Sequence, residues 1–183
     1  LITEKMPDYR DEMEQMLFKL PMAGSAFKKI YFDPLTERPV SQFVPAEDLV
    51  VSYGASNLRT APRFTHVMKQ TSEEVLKLQV NGFSDDPRHT VLEMHVDLDL
   101  PEPFDDIDGV SLPYIVTIDK SSSVILAIRR NWYEEDSKRE KRMHVVHYPY
   151  LPGMGFYGTG LIHTLGGLTK SATSIMRQLI DAG

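Results

Sequence analysis

No cysteine occurs among the 183 residues. A disulfide framework and thiolate metal sites are therefore excluded, and the composition fits a reducing compartment. No apolar run is long enough to cross a bilayer: the most apolar stretch, residues 153–180, is interrupted by His163, Lys170 and Arg177. There is no signal-peptide pattern, no internal repeat and no low-complexity tract. Positive charge is in deficit, with 20 Lys and Arg against 26 Asp and Glu, for a net charge of −6. That balance excludes a generic basic grip on nucleic acid, though an acidic wall past which phosphate slides remains compatible with it.

What is present is globular: 42% hydrophobic and 25% charged residues, in a length that suffices for one domain, or for one domain and a docking helix. The chain opens on Leu1 rather than Met and closes as a helix reaching Gly183, so both ends read as cuts within a longer protein. The run from Gly82 through Asp86 reads either as a native turn or as a join across an omitted loop.

Hydrophobic periodicity predicts an amphipathic helix after Asp8, over residues 9–20, with Met13, Met16, Leu17 and Leu20 as its stripe and Pro21 and Gly24 as its end. Residues 26–32 and 40–44 read as a hairpin around the turn at 33–39. Residues 48–53 and 64–69 read as two further strands. Thr71 and Glu74 form a capping box opening a short middle helix that stops at Gly82. Strands follow at 90–100, at 114–119 and 124–129 as a hairpin, and at 142–148. The mixed-charge run 134–142 reads as a solvated loop. Residues 151–158 are glycine-rich and lead into a long helix from about 159 to 181, with Gly166 and Gly167 in its interior, where they favour close packing or a kink. The fold class expected is α+β: antiparallel sheets and hairpins with an N-terminal amphipathic helix, one short middle helix and a long C-terminal helix. The division expected is a β-rich body over 1–150, then the glycine-rich loop and helix over 151–183.

Candidate chemistry is thin. His144 and His147 lie i, i+3 on a strand and so face opposite sides. His95, Asp97 and Asp99 share one strand face and form the weak candidate for a divalent cation or a two-metal site, although the wet face of a half-buried strand has the same pattern. The acidic run 104–109 lacks the glutamate a calcium loop needs at its twelfth position, where Thr117 stands. Gly153, Gly155 and Gly158 match G-x-G-x-x-G without a βαβ context or a downstream acid, and Lys170 is too far along for a phosphate loop. Gly-x-Ser-x-Gly is absent. No cofactor is expected, and the reading is of a non-catalytic protein.

The stretches 20–34 (LPMAGSAFKKIYFDP), 43–51 (FVPAEDLVV), 128–132 (IRRNW), 151–163 (LPGMGFYGTGLIH) and 174–183 (SIMRQLIDAG) resemble the portal proteins of tailed phages, in the P22-like branch. The resemblance covers nearly the whole chain. It implies a structural subunit of a ring, usually of twelve copies, at one capsid vertex, with double-stranded DNA passing through its channel and with terminase, capsid and tail proteins as partners. It implies a virion location and no membrane. This chain would be an internal, wing-like piece. Lys170 and Arg177 become the DNA-channel candidates. Met13, Met16, Leu17, Gly155, Phe156, Tyr157, Gly166 and Gly167 become the oligomer-interface candidates, since a closing ring needs two different patches on each subunit. The competing readings are a metal-dependent phage enzyme using His95, Asp97 and Asp99, and a tail or adhesion module.

Overall fold

A computed structural model describes residues 5–33, 36–71, 88–101, 109–153 and 155–182. The expected middle helix, the possible join at 82–86 and nearly all of the acidic run 104–109 lie outside them; Thr71, the expected cap, closes a strand instead. The chain is α+β, and among the described residues all strand pairs are antiparallel.

Two compact units form, Leu1–Ala46 with His144–Gly183, and Glu47–Met143. This differs from a cut at residue 150: strand pairing keeps the glycine-rich stretch with the first hairpin.

In the first unit, helix α1 (Tyr9–Ala23) is followed by strands β1 (Ser25–Asp33) and β2 (Arg38–Pro45). Helix α1 runs through Pro21 and ends at Gly24, whose φ of 84° suits glycine and whose N–H bonds the Leu20 carbonyl. Pro21 is tolerated because it lies in the last turn, where only one helical donor is lost. Asp8 makes no side-chain cap; its carboxylate instead takes Arg38 at 2.9 Å. Strand β1 is central. It pairs with β2 (Phe27 opposite Val44) and, on its other edge, with β8 (Val145–Pro149; Phe27 opposite His147). Met16, flanked by Met13 and Leu20, packs on Ala26 and Phe43. Alternate residues Ser25 and Phe27 point to the opposite face, so Ser25 through Lys28 are all buried.

A short 3₁₀ turn (Ala46–Asp48) leads into the five-stranded sheet of the second unit. Its strands are β3 (Leu49–Val51), β4 (Arg63–Thr71), β5 (Arg88–Leu98), β6 (Leu112–Asp119) and β7 (Val124–Arg130), in that spatial order. One face carries Met94, Val96, Leu98 and Leu100 against Leu112, Tyr114, Val116 and Trp132. At the β6–β7 turn, burial pushes the Asp119 carboxyl up, but hydrogen bonds from Ser122 and Ser121 outweigh it and hold the group at about 2.

Helix α2 (Leu161–Ala182) completes the first unit. Among the described residues, no helix is long and apolar enough to cross a membrane.

Candidate assembly surface

The glycines of residues 153–160 serve backbone-to-backbone contact. A side-chain carbon at Gly158 would overlap the Gly24 and Leu151 carbonyl oxygens, and one at Gly160 would overlap the Met22 carbonyl. The Tyr150 N–H bonds the Gly24 carbonyl at 2.9 Å, and Leu151 bridges to Thr159. The chain entering α2 is thereby seated on the end of α1. A phosphate cradle would need a free rim of amides at a strand–helix junction. Here β8 joins an antiparallel sheet, and the Gly158 N–H already points at Ser25 Oγ, 2.8 Å away.

Ser25 is the hub of this seat. It is buried, accepts the Gly158 N–H, and places its hydroxyl 3.0 Å from His147 Nε2. The His147 ring stacks on Phe27 at 4.6 Å and on Phe156 at 4.7 Å, and Tyr157 meets Phe156 edge-on at 5.0 Å. His147 is half-buried and the Ser25 oxygen is occupied by the Gly158 N–H, so the pair holds the loop. Burial holds the His147 imidazole below its ordinary range. As pH falls the unfolded chain therefore takes up the proton first. The stability that neutral His147 contributes is complete above about pH 6.5 and is lost as pH falls through the folded value. Urea midpoints measured from about pH 8 down to about pH 5 should fall, and His147→Phe, which keeps the stack, should flatten the curve. An unchanged slope in that variant would assign the titration to another group.

Lys28 had no sequence signal. It is buried, with Nζ 4.4 Å over the Tyr9 ring and 3.4 Å from Ser41 Oγ. Burial lowers its pKa and Glu12 opposes the shift. Glu12 in turn accepts the Phe43 N–H. Together these groups fix α1 to the hairpin.

Helix α2 is the reverse of buried. None of its residues is buried, and Leu168, Leu179 and Ile180 are each about two-thirds exposed or more. Leu161, Leu165, Leu168, Ala172, Ile175 and Leu179 recur at alternating steps of four and three, one side of a helix. His163, Lys170 and Arg177 recur every seven residues on the opposite side. Gly166 and Gly167 have open space around them, so no packing among the described residues offsets their cost of about 2 kcal/mol relative to alanine. A helix that rests on its own propensity is marginal in water.

The interface candidates divide. Met13 and Met16 face β1 and β2 and are engaged inside the unit, because their stripe is the one that covers the sheet. Phe156 and Tyr157 pack on Phe27. Leu17 is exposed, as are Gly155, Gly166, Gly167 and, despite its ring contacts, Tyr157. Phe18, which sequence reasoning passed over because it lies off the apolar stripe, is 79% exposed.

The metal candidates do not converge. Strand β5 does place His95 and Asp97 on one side, with Asp99 just past its end, but that side is not a wet face at its centre. His95 is buried, stacked on Phe64 at 4.4 Å, with Nε2 3.2 Å from Glu93 Oε1. Asp97 lies 3.9 Å from Lys141 Nζ, and Asp99 is exposed. Lys141 crosses over the Phe64 ring to bond the Ala61 carbonyl, and burial lowers its pKa against the pull of Asp97. Among the described residues, no three His, Asp or Glu side chains are grouped as a metal ion needs. Compared with known proteins, the chain matches no family model and no curated protein.

Proposed function

We propose that this chain is a wing-like part of a tailed-phage portal subunit. Its work would then be structural: a block in a ring through which DNA is packaged and ejected, and to which terminase and tail attach. The resemblance of residues 20–34, 43–51 and 151–183 suggests the family. The observation that carries the reading is that one unit bears two different uncovered surfaces, the whole of α2 and the outer stripe of α1 around Phe18. A subunit whose neighbours use unlike patches closes into a ring or runs on as a filament. A helix with no buried residue gains its stability from such neighbours.

Electron microscopy of the intact protein containing this chain tests the reading. Closed rings with a central hole are the expected result. Discrete monomers at packaging-like ionic strength would exclude it.

A further inference from the structure

We infer that the groove along α2 receives the outer face of α1 from the next copy of the chain. This deepens the ring reading and rests on it, by naming the two unlike patches that meet.

The groove has a volume of about 780 Å³, with an apolar end at Met22, Leu161, Ile162 and Leu165 and cations farther along at Lys170 and Arg177. Its walls thus change character along the helix, from apolar near the α2 N-terminus to basic toward the C-terminus. The outer face of α1 changes in the complementary sense. Asp11, Glu14 and Phe18 stand at i, i+3 and i+7, on the side away from Met13, Met16 and Leu20. Acid stands toward the α1 N-terminus, where Glu14 also takes the exposed Arg10 at 2.9 Å, and the large exposed ring toward its C-terminus.

Laid antiparallel, the two patterns register. With Phe18 seated over Gly166, on the groove floor between Leu165 and Lys170, Glu14 lies about 6 Å along the axis and Asp11 about 10 Å, while Lys170 lies about 6 Å and Arg177 about 16 Å from Gly166. Long basic side chains span the remaining offsets. Antiparallel placement also sets the positive end of one helix against the negative end of the other. The open space at Gly166 admits the approaching helix. Helix α1 has 15 residues and α2 has 22, so one α1 covers about two-thirds of the groove-bearing helix. Pairing α2 with α2 instead would leave Phe18 uncovered and bring only Asp181 as counter-charge to Lys170 and Arg177.

The chain has no cysteine, so introduced thiols are the only ones that react. Phe18→Cys and Leu165→Cys alter exposed side chains. Mixed at a concentration where the 183-residue chain sediments as oligomers, they should be joined by a short bismaleimide into pairs containing one of each, while neither variant links to itself. Linking of Leu165→Cys alone, no link in the mixture, or a chain monomeric at every concentration would overturn the inference. Lys170→Glu with Arg177→Glu should raise the concentration for half-association roughly tenfold, and adding Asp11→Lys with Glu14→Lys in the same chain should restore it. If charge reversal leaves association unchanged and lowers affinity for double-stranded DNA, the cations face the polyanion and the inference fails. Rings without the cross-link would sink this contact and spare the ring reading; the cross-link in particles that never close would do the opposite.

Discussion

Alanine at Gly158 is expected to destabilise the first unit by about 3 kcal/mol or more, the upper range for forcing extra atoms into a packed site. The new methyl would overlap the carbonyl oxygens of Gly24 and Leu151 and crowd Pro149. Two of those three neighbours are backbone, which cannot swing aside as a flexible side chain does. Relief would require lifting residues 151–160 off Gly24, and with them the Ser25 bond to the Gly158 N–H. The effect should appear in the helical circular-dichroism signal, because α1 and α2 meet at this seat. The single tryptophan, Trp132, belongs to the other unit, and its fluorescence transition serves as the reference. A helical midpoint unchanged from the parent would mean the loop accommodates a methyl and the close approach is dispensable.

Phe27→Ala should cost about 4 kcal/mol, within the range for truncating a fully buried aromatic ring. Phe27 is 0% exposed and is the common partner of His147, Phe156 and Tyr157. Removing it leaves a cavity bounded by rings that cannot all collapse inward, since His147 is fixed by the β1–β8 ladder and by Ser25. Phe27→Leu keeps much of the volume and should lose clearly less. Equal losses from the two variants would mean that ring stacking, rather than cavity volume, sets the energy.

Local pattern foretold local structure. The hairpins β1–β2 and β6–β7 were legible because alternation and turn residues sit within one short window, and α1 and α2 because apolar residues recur at helical spacing. The seat of α2 was not legible. Ser25 and Gly158 are 133 residues apart, and nothing in either neighbourhood marks the other. The same holds for β8, which completes the first sheet only after the chain has built the second. Asp8 looked like a cap because its residue type favours that role, but Arg38 across the hairpin competes for its carboxylate. The buried side of β5 was misread for a related reason. Polar His95, Asp97 and Asp99 suggested a wet face, yet His95 is buried, stacked on Phe64 and bonded to Glu93. Within the candidate surface, Lys170 and Arg177 were visible as isolated cations in an apolar stretch. Phe18 was not, because exposure is a property of what the rest of the chain leaves uncovered.

The interleaved order of the two units has a consequence for how this protein can vary. The chain leaves the first sheet at the end of β2 and re-enters it at the start of β8, and both strands flank β1. The end of β2 lies opposite Ala26 and the start of β8 opposite Lys29, so the two points are roughly 14 Å apart, a gap that a few residues span. Residues 47–143 are therefore a cassette carried between two fixed posts. A change of length within residues 47–143 leaves the β1–β2 and β1–β8 registers as they are for as long as both ends of the segment still reach β1.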